Sequence, residues 1–180
     1  MKAIRYHEIE SPIGILTLGA SSEGLCQIEF GSFAENESRL RDWSGRQFGT
    51  DAWERDPAEL AVAADQLRRY FAGDLQVFEL PLDLRGTPFQ VRVWQELTAI
   101  PYGAACSYKQ IAEAIGSPKA VRAVGGANNR NPVPIIVPCH RVIGAAGAMV
   151  GYGGGLSIKT FLLGLEGFEG GAPAAGGELV

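Results

Sequence analysis

The stretch from Asn131 to Val142 constrains this chain more than any other part of it. Prolines stand at 132, 134 and 138 inside an otherwise apolar run. Proline fixes its own φ and pushes the residue before it toward β or polyproline II backbone, so the run reads as stiff and extended. It delivers the tetrapeptide Pro138-Cys139-His140-Arg141. The chain has three cysteines (Cys26, Cys106, Cys139) and two histidines, so one of each at the end of a rigid segment is informative. A thiol held by stiff backbone with an imidazole beside it is what a sulfur nucleophile needs. The plainer reading is a small buried hydrophobe, and neighbours in sequence need not meet in space.

Composition narrows the class. At 180 residues, with 46% hydrophobic and 20% charged residues, the chain suits a soluble globular protein with one good core or two small domains. No apolar run approaches the roughly 20 residues of a membrane span. The N-terminus has no signal-peptide pattern, so a cytoplasmic protein with no membrane partner is expected. The cysteines are odd in number and contain no CxxC pair, which argues against a disulfide framework and against a four-cysteine zinc site. His7 and Cys26 have no second ligand pair, so no metal is expected.

Charge is unevenly spread. Residues 1–84 hold 8 Lys/Arg and 15 Asp/Glu, whereas residues 85–160 hold 8 Lys/Arg and only Glu96 and Glu113. A basic second half permits a phosphate-binding face despite the net charge of −4, although chance clustering would give the same split.

The first 30 residues read as an antiparallel meander, with strands over Ile4–Ile9, Ile13–Leu18 and Leu25–Phe30. Asp56 and Pro57 predict a helix start, Leu60, Ala64, Leu67 and Phe71 share its face, and Gly73 stops it. The expected organisation is α+β: an N-terminal α/β domain over 1–80, a linker over 81–86, a mainly helical domain over 87–168 and a disordered tail over 169–180. In the helical part Thr87-Pro88 opens a helix with Phe89, Val93, Trp94 and Leu97 on one face. Ser107 and Gln110 have capping-box spacing. Gly116-Ser117-Pro118 then turns into a second helix, expected to be capped by Ser117-Pro118 and to run through Lys119–Ala127. Such a pair is a helix-turn-helix candidate, though many helical hairpins bind nothing. Gly144–Gly147 reads as a turn and Gly151–Gly155 as a mobile loop. Ser157 is expected to cap a last helix over Ile158–Leu165, with Phe161, Leu162 and Leu165 apolar, ending at Glu166-Gly167.

From Thr87 to Gly167 the pieces and their order resemble the O6-alkylguanine-DNA alkyltransferases. The match includes Arg122–Ala127, Asn131–Val142, the Gly-Tyr-Gly-Gly-Gly loop and the Leu-Glu-Gly end. The first 80 residues resemble the family's N-terminal domain only in length and pattern. The resemblance implies a monomer that acts once on double-stranded DNA. It would transfer the alkyl group of O6-alkylguanine, and of O4-alkylthymine, to Cys139 without a cofactor. His140 then resembles the general base, working through a water, and Glu166 the carboxylate that orients it. Asn131 resembles the hinge that braces the active-site segment. Tyr108 resembles the residue that helps flip the nucleotide and donates to N3 of guanine. Arg122 resembles the arginine that fills the vacated stack from the minor groove, with Ala123, Gly125, Lys119 and Arg130 also on the DNA side. Pro134, Val142, Tyr152, Gly153 and Gly154 match the base pocket, with the carbonyls of Val142 and Cys139 accepting the exocyclic amine. Gly153 stands where relatives often have Ser, and the small residues of the loop imply a roomy pocket.

Three other readings compete. A non-catalytic lesion binder of the same family lacks the cysteine. A helix-turn-helix regulator needs a more polar recognition helix. A cysteine hydrolase needs an oxyanion hole that cannot be identified in the chain.

Overall fold

The computed structural model describes residues 2–144 and 154–168. It has two compact units, residues 1–85 and 86–180.

In the first unit, strands β1 (Ile4–Ser11), β2 (Gly14–Ala20) and β3 (Leu25–Phe30) form the expected antiparallel meander. Helix α1 (Phe33–Phe48) follows, then a short strand β4 (Trp53–Arg55) that pairs parallel to β1, giving the order β3-β2-β1-β4. Neither α1 nor β4 is anticipated by the sequence reading. Yet α1 carries a capping box between Ser32 and Glu35, and Gly49 at φ 71° ends it, a geometry natural only to glycine. Its sparse buried set, Phe33, Leu40 and Phe48, packs with Ile4, Cys26 and Trp53. The buried Trp53 indole is satisfied by donating to Ser44 Oγ at 2.9 Å.

Helix α2 covers Ala61–Phe71 rather than starting at Asp56-Pro57. Asp56 Oδ1 does accept from the Glu59 backbone N–H at 3.2 Å, but this closes a separate turn, and Leu60 becomes the residue before the helix. Leu60, Ala64 and Leu67 are buried as expected, while Tyr70 and not Phe71 completes the face. Part of the stretch expected as a linker is hydrogen-bonded to β3. The Leu25 N–H donates to the Pro81 carbonyl and the Asp83 N–H to the Leu25 carbonyl.

The second unit is built on α3 (Pro88–Leu97), α4 (Tyr108–Ala114), α5 (Val121–Asn129) and α6 (Leu156–Leu165), with a two-stranded parallel ribbon of β5 (Cys106–Ser107) and β6 (Val142–Ile143). Thr87 and Ser107 both close capping boxes, with Gln90 and Gln110 respectively. Val93, Trp94 and Leu97 are buried, and the Trp94 indole N–H donates to the Ala127 carbonyl at 2.8 Å, tying α3 to the end of α5.

Two helix starts differ from expectation. Ser117 does not cap α5. The Ala120 N–H donates to the Ser117 carbonyl and closes a turn first, so α5 begins at Val121 with Ala120 before it and Lys119 outside the helix. Likewise α6 begins at Leu156 after Gly155, and Ser157 lies inside it. Its buried face is Lys159, Leu162, Leu163 and Glu166, while Phe161 is 40% exposed.

Candidate active site

The loop after α5 is shaped by what its prolines withhold. Without their N–H groups the loop cannot form a ladder, and the Asn131 side chain substitutes. Its amide donates to the Val137 carbonyl at 2.8 Å, and its oxygen accepts from the Val133 N–H at 3.0 Å. The Val137 N–H in turn reaches the Val133 carbonyl at 2.9 Å. Asn131 thus clamps both ends of the loop. Pro132, Val133, Pro134, Ile135, Val137 and Pro138 are all buried. Ile135 is held at φ 77°, a strained region for a β-branched residue that persists only where the surroundings enforce it.

The loop hands the chain to a single 3₁₀ turn, Cys139–Arg141. Helix α5 reaches this turn directly: Asn128, 2% exposed, directs its amide at the Cys139 carbonyl across 3.4 Å. The Val142 N–H also donates to that carbonyl.

His140 is fully buried and points at the end of α6, where its Nε2 lies 2.7 Å from Glu166 Oε2. Arg141 forks onto the same carboxylate, donating through Nε to Oε1 at 2.8 Å and through Nη2 to Oε2 at 3.0 Å. Its Nη1 donates to the Ile100 carbonyl at 2.6 Å. Glu166 sits just past the helix C-terminus, an unfavourable place for an anion, and the guanidinium beside it answers that cost. Burial by itself would raise the Glu166 carboxyl, but the hydrogen bonds from His140 and Arg141 outweigh it and hold it at about 2.

An ionised Glu166 can only accept, so Nε2 carries the proton. Nδ1 is then the basic nitrogen, and it has no hydrogen-bond partner among the described residues. Burial pulls the imidazole below its ordinary range, with Glu166 partly opposing. At neutral pH the ring is a neutral base with an anion behind it, ready to receive a proton.

Tyr108 opens α4 and is half-buried. Burial, then the negative charge of Cys139, raise its hydroxyl above the ordinary range, so it keeps its proton. Its ring lies beside α5: a Cβ built on Gly125 would stand 3.9 Å from it. Arg122 is the second residue of α5, exposed, with exposed Ala123 beside it. Lys119 in the preceding turn and Arg130 just after the helix are also exposed. Among the described residues none of these three cations has a carboxylate partner within salt-bridge distance. Pro134 and Val142 are buried close in sequence to Cys139, and Gly154 is half-buried. Tyr152, Gly153, most of the glycine loop and the tail lie outside the described residues.

The sequence reading left three side chains without a role: Arg141, Asn128 and Lys159. Lys159 is fully buried and donates from Nζ to the Val142 carbonyl at 2.5 Å. Its signal was the spacing Lys159, Leu162, Leu163, Glu166, one helical face with a charge at each end. Among the described residues no cluster of His, Cys, Asp and Glu could hold a metal, and no helix is long and apolar enough to cross a membrane.

The second unit therefore defines a class: a buried thiol on one tight turn with a histidine that is tied to a carboxylate, on a helical unit with an exposed cationic helix-turn-helix. Two family models match the chain. That for the 6-O-methylguanine DNA methyltransferase ribonuclease-like domain covers residues 4–84, and that for the DNA-binding domain covers 88–168. The chain belongs to the 6-O-methylguanine DNA methyltransferase family. Curated relatives named methylated-DNA--protein-cysteine methyltransferase include that of Mycobacterium tuberculosis, 49% identical over 91% of this chain and 92% of its own. The constitutive protein of Bacillus subtilis is 46% identical over 89% and 94%. A crystal structure of the Mycobacterium tuberculosis protein in complex with DNA superposes with a TM-score of 0.78 at 48% identity, covering 90% of this chain and 92% of that one. The O6-methylguanine-DNA methyltransferase of Pyrococcus kodakaraensis gives 0.68 at 27% identity, covering 91% and 99%.

Proposed function

We propose that this protein repairs DNA by direct reversal, moving the alkyl group of O6-alkylguanine irreversibly to Cys139; O4-alkylthymine is a second expected substrate. The observation that carries this reading is the Cys139 turn itself. The thiol shares its 3₁₀ turn with an imidazole whose Nε2 is tied to an ionised carboxylate and whose Nδ1 has no hydrogen-bond partner among the described residues.

The step balances without a cofactor. His140 Nδ1 receives the Cys139 proton through a water, and Glu166 steadies the resulting imidazolium. The thiolate attacks the alkyl carbon, the S–C bond forms, and the C–O6 bond breaks with its electron pair passing into the guanine ring. The Tyr108 hydroxyl gives the ring its proton at N3, and the imidazolium proton restores the tyrosine through solvent. The product is a thioether that no group nearby can cleave, so the protein acts once.

The base must leave the stack to meet a buried thiol. The exposed Arg122 on α5 suits insertion from the minor-groove side, with Ala123 and Gly125 allowing close backbone approach and Lys119 and Arg130 on phosphates. Pro134, Val142 and Gly154 are assigned to the base pocket, to which the family resemblance adds Tyr152 and Gly153 from outside the described residues, and Asn131 holds the loop that carries the thiol. On this reading residues 87–168 are the DNA-binding and transfer domain and residues 1–80 are structural. The protein works as a monomer, and the cytosol suits it because the chemistry needs a reduced thiol.

The test is intact-protein mass after mixing with a duplex containing one O6-methylguanine, for wild type and Cys139→Ser. The expected result is a stoichiometric gain of one methylene unit, absent in the variant. Tight lesion binding without a mass gain would overturn alkyl transfer in favour of a non-catalytic damage binder.

A further inference from the structure

Asn128 lies in the last turn of α5 and is 2% exposed. Its Nδ2 donates toward the Cys139 carbonyl across 3.4 Å, and its Oδ1 is buried with no hydrogen-bond partner among the described residues. A flipped amide would set Oδ1 against that carbonyl oxygen, so the hydrogen-bond pattern fixes the orientation. Burying an acceptor without a donor is costly, and a leucine would occupy the place without that cost. Two other buried side-chain atoms go unanswered among the described residues. His7 Nδ1 belongs to β1 in the first unit, and His140 Nδ1 is the base of the proposed reaction. The Asn128 oxygen is the one at the Cys139 turn that the chemistry above leaves idle.

The chemistry of the alkylated base narrows what can answer it. Guanine with an alkyl group on O6 carries no proton on N1, and in DNA its N9 is bonded to the sugar. Its exocyclic amine is then its only N–H donor. The family resemblance gives the two protons of that amine to the carbonyls of Val142 and Cys139. In this chain the Cys139 carbonyl already accepts from the Val142 N–H and from the Asn128 amide. Both of its lone pairs are engaged, whereas the oxygen of the amide that rests on it has no donor.

We infer that Asn128 is a specificity-determining residue: its Oδ1 accepts one proton of the exocyclic amine, in place of the Cys139 carbonyl, and so makes the pocket select bases that carry an amine at C2. This deepens the alkyl-transfer reading and rests on it. The amine is then held between the Val142 carbonyl and a side chain of α5, the helix that also carries Arg122. A base without the amine leaves the Asn128 oxygen buried and unanswered. A site built to pair a substrate N–H rejects the analogue lacking it for this reason.

The experiment compares free O6-benzylguanine with O6-benzylhypoxanthine, which differs only in lacking the amine. Rates of benzyl transfer are read by intact-protein mass for wild type, Asn128→Leu and Asn128→Ala. Wild type should prefer the guanine compound. Asn128→Leu should narrow that preference by about tenfold, the weight of one buried acceptor left unpaired. The loss should fall on the guanine compound alone, with the hypoxanthine compound reacting as fast or faster. The urea midpoint of Asn128→Leu should hold or rise, because a buried acceptor without a donor has been removed. Equal slowing with both compounds would overturn the inference and leave Asn128 a mount for the thiol, and an unchanged preference would overturn it as well. If Asn128→Leu does not fold, Asn128→Ala carries the same comparison. Transfer by wild type from the O6-methylguanine duplex is measured separately. Its absence would sink the underlying reading, whereas transfer with a preference that the variants share would sink only the assignment to Asn128.

Discussion

The His140 imidazole and the Glu166 carboxylate meet at 2.7 Å with both side chains sealed from solvent, although 26 residues separate them in the chain. The turn at Cys139 supplies one partner and the end of α6 the other. Arg141 makes the meeting stable by engaging the same carboxylate with its fork, so three consecutive residues are a thiol, a base and the base's electrostatic support.

Glu166→Gln tests that support. The variant keeps the shape but loses the anion behind the imidazole, and transfer should slow by about a hundredfold or more, at the low end of general-base contributions. Stability should change in a defined window. The Glu166 carboxyl is depressed to about 2 from 4.5, so its contribution is fully present above about pH 4.5 and is lost as pH falls toward 2. Its size is roughly 3 kcal/mol by linkage. Acid-unfolding curves of wild type should show this loss, and those of the variant should lack it.

Arg141→Met should destabilise the protein by about 3–5 kcal/mol, because it leaves a buried carboxylate half-answered. Denaturant unfolding measures this. The transfer rate should fall along with it, since a less firmly ionised Glu166 supports the imidazolium less well.

Arg122→Ala should slow transfer from duplex DNA far more than reaction with free O6-benzylguanine, because only the duplex demands that a vacated stack be filled. Equal losses on both substrates would remove the inserting role. The benzyl compound also tests the roomy pocket, which a failure to react at high concentration would count against.

Asn131→Ala should behave in the opposite way. It deletes two hydrogen bonds that span the proline loop and leaves a buried backbone group unpaired, at about 1–3 kcal/mol. Both substrates should then suffer alike, since the thiol itself loses its mount.

Binding to duplex DNA should weaken steeply with salt, because each phosphate contact by Lys119, Arg122 or Arg130 releases counterions. Electrophoretic shifts at several salt concentrations measure the slope, and a flat response would contradict a phosphate-binding face.

Local rules made much of this molecule legible in one dimension. The meander, the capping boxes at Thr87 and Ser107, the stop at Gly73 and the rigid approach to Cys139 each depend on residues within a few positions of one another. The helix α1 was legible by the same rule at Ser32 and Glu35, but its long polar stretch and sparse apolar face hid it. Where two local signals competed, as at Asp56-Pro57 and Ser117-Pro118, a tight turn formed first and the helix began later.

What the sequence by itself determined is the chemistry available: one thiol at the end of a stiff segment, one imidazole beside it, a basic second half and the family resemblance these carry. What only the tertiary structure decided is how the charges are paired. Arg141 and Lys159 are both long cations in apolar surroundings, and nothing in their neighbours says that one grips Glu166 while the other sits on the Val142 carbonyl. That assignment depends on where α6 packs against the Cys139 turn, because buried charges are stable only with partners brought to within hydrogen-bond distance by the fold.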